Sequence, residues 1–275
     1  MFDSSTFIAP IVFLHIPKTA GQTIHNELSR AVGGNNVSPI RVHSQAPQPK
    51  DQFPSGYRLY SGHLDWSALE NFAQPRFSFS ILRDPRERIA SFYFYLLKEA
   101  KALSDTARQA PENIGKNAIL NQSADDYFFG GSDPWRAFIL DHYDNFYCRY
   151  FASQKVRAGT RFGDQPNRRK LRMALKNVEK IDWIYAIENL GALESDLNEL
   201  YGFDLDFTAR RTNIGDQPIE DLRWPRLLET LEHAKNRGAK VLGVIRGVGE
   251  KADKLHRTRS SPDGIPVITA IQRAL

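Results

Sequence analysis

Two short segments carry residues that could grip an anion. The first reads His15-Ile16-Pro17-Lys18-Thr19-Ala20-Gly21-Gln22-Thr23. A β-branched apolar run leads into it, and a helical repeat follows. A strand feeding a tight turn and a helix N-terminus leaves free backbone N–H groups and the helix dipole aimed at one spot. Ala20 and Gly21 let the backbone approach a phosphate closely, Lys18 adds a mobile positive charge, and Thr19 and Thr23 add hydroxyl donors. An ordinary strand-to-helix turn with a surface lysine would give the same letters.

The second segment reads Leu82-Arg83-Asp84-Pro85-Arg86-Glu87-Arg88-Ile89-Ala90-Ser91-Phe92-Tyr93. It too sits where a strand gives way to a helix, and open parallel sheets bind ligands beyond the C-terminal ends of their strands. Asp84 suits an N-cap and Pro85 a first helical turn. Ser91 follows Arg83 by roughly two turns, so both could reach one phosphate. Arg88 is expected to be structural, pairing with Glu87 or Asp84. The first segment is not a Gly-x-x-x-x-Gly-Lys-Ser/Thr loop, because Lys18 precedes its only glycine. That weakens an ATPase, GTPase or kinase reading.

Together the two segments resemble the sulfotransferases that use 3′-phosphoadenylyl sulfate (PAPS), in the branch with the heparan sulfate 2-O- and 6-O-sulfotransferases and bacterial relatives. In that branch a HIPKTAG-x-T loop binds the 5′-phosphosulfate. The resemblance therefore implies donor contacts from Pro17, Lys18, Thr19, Ala20, Gly21, Gln22 and Thr23. It implies that Arg83 and Ser91 hold the 3′-phosphate. Ser61-Gly62-His63-Leu64-Asp65-Trp66 is similar to a Gly-His segment that carries the family's catalytic histidine, with the histidine offset by one position from the 6-O enzymes. Asn145, Arg149 and Tyr150 resemble a family helix, Glu188 the end of a later strand, and Arg211-Thr212-Asn213 a loop that closes over the nucleotide. The likeness runs from about Ile11 to Asn213 and implies a P-loop-like three-layer α/β fold, a central parallel sheet flanked by helices.

Sulfuryl transfer needs in-line placement and stabilisation of spreading charge. The transferred group is less negative than a phosphoryl group, so a magnesium ion is less needed, and no metal cluster is evident. An acceptor hydroxyl must lose its proton, and His63 is the candidate general base. Its rivals are His15, better suited to a hydrogen-bonding role in the strand, and Asp65, which could orient His63 or act as base itself. Lys18 is expected to stabilise the departing bridge oxygen. Trp66, Tyr93 and Tyr95 are candidates for the acceptor cleft, where rings stack on sugar faces, although each could equally fill the core. A carbohydrate acceptor follows from the branch alone.

Strands are expected at 11–16, 57–61, 77–82 and 181–187. Helices are expected at 22–32, 66–72, 87–98, 135–151, the second half of 157–176, 189–201 and 222–237. Residues 33–56 read as a surface loop, and 101–133 as a polar, irregular acceptor-side stretch with partial helix. Alternating strands and helices argue for a parallel sheet. No linker or repeat divides the chain, so one domain over 1–275 is expected, with the tail after about 256 unplaced.

The net charge of +5 over 275 residues suits an anionic ligand but gives no nucleic-acid footprint. Arg157, Arg161, Arg168, Arg169, Lys170, Arg172 and Lys176 form the densest basic stretch, read as a solvated face or a groove for an acidic glycan. With Cys148 as the single cysteine, the fold needs no disulfide. No apolar run spans a bilayer, and a cytoplasmic enzyme is the expectation. Two other readings stay open: a P-loop kinase or phosphotransferase, and a non-catalytic nucleotide-binding scaffold.

Overall fold

The computed structural model of the chain describes residues 9–72, 75–159, 162 and 165–207. Four short runs of apolar and β-branched residues form one sheet: β1 (Ile11–Leu14), β2 (Leu59–Gly62), β3 (Phe77–Leu82) and β4 (Trp183–Ala186). Their order is β2-β1-β3-β4 and every pairing is parallel. Strands β1 and β3 lie at the centre, which explains why IVFL and FSFSIL are apolar or small on both faces: each is buried throughout.

The pleat sends alternate residues of β1 into two different cores. Ile11 and Phe13 join Ile24, Leu28 and Val32 of α1 (Gly21–Val32) and Leu190, Leu193 and Leu197 of α9 (Leu190–Tyr201). Val12 and Leu14 join Phe146, Tyr150 and Phe151 of α7 (Phe146–Ser153) and Ala174 and Val178 of α8 (Asn167–Val178). Helix, sheet and helix make the expected three layers.

A third core forms beside the sheet. Helix α2 (Pro85–Ala102) is followed by a short helix α3 (Asp105–Arg108) and gathers α4 (Ile114–Asn121), α5 (Ala124–Phe129) and α6 (Asp133–His142) around Tyr93, Ile119, Tyr127, Phe128 and Tyr143. The stretch 101–133, expected to be irregular with partial helix, is largely short helices. Ser104 and Ser123 cap α3 and α5 by accepting the N–H groups of Ala107 and Asp126. The single aromatic helix expected over 135–151 is two helices. Asn145 takes a left-handed φ of 46° between them, and Arg88 draws on the freed carbonyl of His142 at 3.1 Å.

Other boundaries shift as well. The helix expected at 66–72 is a 3-10 turn, Ser67–Asn71. Part of the 33–56 loop is tied to the sheet: Val42 bridges to His63 in parallel register. The helix expected at 222–237 and the tail after 256 lie outside the described residues. Among the described residues, no helix is long and apolar enough to cross a membrane.

Candidate functional site

The loop from β1 to α1 is built to present backbone donors. Lys18 and Ala20 adopt left-handed φ values of 73° and 61°, costing roughly 1–3 kcal/mol each for non-glycine residues. Such alternation turns successive N–H groups toward one concavity. Ala20 is the N-cap of α1 and offers no side-chain cap, and the first turn holds no acidic residue. The helix start thus keeps its donors and its positive dipole end for a ligand. Thr19 is fully buried, and its hydroxyl donates to the Ile16 carbonyl at 2.9 Å, which folds the loop back on itself. Thr23 is buried as well. Gln22 is exposed and donates to Asn26 at 2.7 Å.

The second segment meets this loop along one stripe of α2. Glu87, Ser91, Tyr95 and Glu99 recur every fourth residue, so they share a helix face. Arg83 pairs with Glu87 at 3.0 Å, and the Lys18 ammonium sits 4.2 Å from the centre of the Tyr95 ring. Both cations therefore flank the stripe that carries Ser91. Burial lowers the Lys18 pKa, Arg83 lowers it further, and Glu99 opposes them. An anion between Lys18 and Arg83 would relieve that repulsion. Tyr147 pins Arg83 from behind: its hydroxyl donates to the Arg83 carbonyl at 2.8 Å and accepts the Arg83 N–H at 3.1 Å.

Asp84 caps α2 by accepting the N–H groups of Arg86 and Glu87. Arg88 does not pair with Glu87 or Asp84 through its side chain. It is buried, with its guanidinium 4.7 Å from the centre of the Phe146 ring.

His63 lies at the end of β2, beside His15 at the end of β1. The His15 N–H donates to the Gly62 carbonyl at 3.0 Å. The His63 Nδ1–H donates to the His15 carbonyl at 2.9 Å. That bond fixes the tautomer, leaving Nε2 with the free lone pair in the neutral ring. The two imidazoles stack at 4.4 Å. Burial lowers the His63 pKa, the bond to the His15 carbonyl raises it, and Arg41, His43 and Arg157 lower it further. A neutral ring near pH 7 is the result.

Around this pair the structure adds residues that the sequence did not single out. Arg41 lies in the 33–56 loop, and its carbonyl accepts the His63 N–H at 2.8 Å. Its guanidinium donates to His25 Nε2, so the His25 Nδ1–H is left to donate to the Ser61 hydroxyl at 3.2 Å. Burial, then Arg41, lower His25 to about 4. The Arg41 Nε is buried with no hydrogen-bond partner among the described residues. No local pattern marks Arg41; only the pairing of its loop with β2 brings it to the site.

The other expected residues fall in different places. Tyr95 is 43% exposed and lies under Lys18. Trp66 is wholly buried and packs near Tyr150 and Phe151 in the core beside the sheet. Tyr93 packs edge-on against Tyr127 in the third core. The Asp65 carboxylate accepts the Val156 N–H at 2.7 Å, a structural use. Of the basic stretch, Arg168, Arg169, Arg172 and Lys176 are exposed, whereas Lys170 is buried and Arg157 pairs with Asp141 at 3.4 Å. Arg161, Thr212 and Asn213 lie outside the described residues. Among those described, no group of three His, Cys, Asp or Glu residues is arranged to hold a metal ion.

A segment of 49 residues is 49% identical to the 3-oxoacyl-[acyl-carrier-protein] synthase II, chloroplastic, of Arabidopsis thaliana, covering 18% of this chain and only 9% of that one. So short a match carries no activity across. No solved structure matches. The profile of the sulfotransferase family matches residues 8–157, more than half of the 275 residues. This span holds the β1–α1 loop, His63 and the Arg83–Ser91 stripe, and the chain belongs to the sulfotransferase family.

Proposed function

We propose that the protein transfers the sulfuryl group of PAPS to a hydroxyl of a carbohydrate acceptor. Sulfuryl transfer follows from the family; donor, acceptor and base are the proposal. What supports the donor most is the meeting of an uncapped helix start, two left-handed loop residues, Lys18 and Arg83. The backbone of Pro17–Thr23 would hold the 5′-phosphosulfate, and Arg83 and Ser91 the 3′-phosphate. In the reaction, the acceptor oxygen bonds to sulfur while its proton passes to His63 Nε2. The bond from sulfur to the bridging oxygen breaks, and that oxygen leaves with the phosphate, its new charge facing Lys18. The exposed Tyr95 ring gives a sugar face something to stack on.

The test is calorimetric titration with 3′-phosphoadenosine 5′-phosphate (PAP) without metal, beside ATP with magnesium. PAP should bind, and Lys18→Ala and Arg83→Ala should each weaken it about 10- to 100-fold, the usual worth of a charge-assisted contact. Binding of magnesium-ATP without PAP would sink the donor assignment. With PAP binding established, labelled PAPS and a panel of oligosaccharide, phenol and alcohol acceptors decide the acceptor class.

A further inference from the structure

Gly21 has a neighbour that explains it. A Cβ built on Gly21 would lie 1.7 Å from Nε2 of His15, and the next two atoms it would meet, at 2.0 Å, belong to the same ring. The glycine is needed here because the His15 imidazole lies flat against the first residue of α1. Its φ is not left-handed, so an alanine is excluded by this ring and not by the backbone.

The same ring also stacks on His63. Cross-strand register explains how. Leu14 pairs with Gly62, so the next residues, His15 and His63, fall side by side. Phe13 and His15 share a face of β1, and Phe13 pairs with Phe79. The rings form one continuous pile: Phe79 to Phe13 at 4.7 Å, Phe13 to His15 at 5.3 Å, and His15 to His63 at 4.4 Å. The pile is anchored in the core under α1 and ends on His63.

We propose that His15 is a positioning residue that couples the donor loop to the base: one ring packs against both Gly21 and His63, so the seat of the loop and the seat of the base are set together. This rests on reading the loop as the donor site and His63 as the base. His15 itself gives or takes no proton. The charged groups that act on His63 besides the His15 carbonyl are Arg41, His43 and Arg157, and the three atoms nearest a Cβ on Gly21 all belong to the His15 ring.

A double-mutant cycle tests it, with Gly21→Ala, His15→Ala and the pair, read by PAP calorimetry, turnover and NMR titration of the His63 ring. Gly21→Ala should weaken PAP at least about 10-fold, because the new methyl and the ring cannot share the space. His15→Ala should keep PAP affinity within about 3-fold while turnover falls about 10- to 100-fold at nearly unchanged donor KM, as expected for lost orientation. Its His63 midpoint should rise toward the ordinary imidazole value as the ring's cover goes. The double variant should regain PAP affinity to within about 3-fold of the starting protein, with turnover still at the His15→Ala level.

Equal PAP loss in Gly21→Ala and the double variant would overturn the proposal, and so would His15→Ala with both turnover and the His63 midpoint unmoved. His15→Phe keeps a flat ring in place and should stay within about 5-fold of normal turnover. A loss there as deep as in His15→Ala would mean that the imidazole nitrogens do chemistry. Should the starting protein fail to bind PAP, the donor assignment falls. Thermal melting and the His63 titration of the same variants would still decide whether Gly21, His15 and His63 are coupled, with Gly21→Ala destabilising and His15→Ala relieving it.

Discussion

His63 offers one lone pair, on Nε2, because the His15 carbonyl holds the proton on Nδ1. A base with a pKa held below 6.5 is already unprotonated at neutral pH. Turnover should therefore rise with pH along a limb whose midpoint lies below 6.5, then level off by about pH 7. His63→Ala should lower kcat about 100-fold or more and leave PAP affinity within about 3-fold, because the residue is assigned to proton transfer and not to the nucleotide. A variant with unchanged turnover would remove His63 as the base. Asp65 accepts the Val156 N–H through Oδ1, while the partner that holds the His63 Nδ1–H is the His15 carbonyl.

Among elements, α2 does two jobs. Its buried side, with Ile89, Ala90 and Tyr93, anchors the third core, and its other stripe carries Ser91 and sets Tyr95 under Lys18. At its start Arg83 is held by Glu87 at 3.0 Å, an exposed pair. A phosphate would have to compete with that carboxylate. Exposed pairs of this kind hold about 0.2–1 kcal/mol, so Glu87→Gln should tighten PAP by up to about 5-fold without changing the fold. Calorimetry checks this; weaker binding in Glu87→Gln would mean that the pair aims Arg83 and does not restrain it. The loop of Arg41 plays the matching part on the other side, as a strap paired to β2 whose backbone holds His63 in place.

For the molecule as a whole, four partly buried imidazoles shape the response to acid. His15, His25, His63 and His142 all titrate below the ordinary value, His25 and His142 at about 4. The folded chain then binds fewer protons than the unfolded chain between 6.5 and about 4. Stability from these groups is complete above 6.5 and is lost as pH falls toward 4. Asp144, raised to about 6, runs the other way, losing its contribution as pH rises through that value, but it is one group against four. The Tm should drop steadily from about pH 7 to about pH 4.5, and a flat Tm would mean that the histidines are solvated in solution. Bound PAP, being anionic, should soften the drop by raising the pKa values of the nearby imidazoles.

The sequence by itself determined what is local. Residues 11–32 and 77–93 each place a strand, a turn and a helix start next to one another in the chain, so their letters suffice to mark the loop, the Asp84 cap and the parallel sheet. Boundaries of β3 and the apolar stripes of α1 and α9 were legible for the same reason, since period and capping act over a few residues. The tertiary structure decided what depends on contacts far apart in sequence. Trp66 and Tyr93 look like cleft aromatics in isolation, yet packing against Tyr150 and Tyr127 buries them, while Tyr95 on the same helix stays open. Residues 101–133 looked irregular because their helices are too short for a periodic signal and are held by the core they share with α2. Arg41 was invisible because nothing beside it in the chain calls for an arginine; only parallel pairing across β2 brings it to His63. The link from Gly21 through His15 to His63 is of that kind too: strand register and a missing Cβ create it, and neither can be read until the strands are laid side by side.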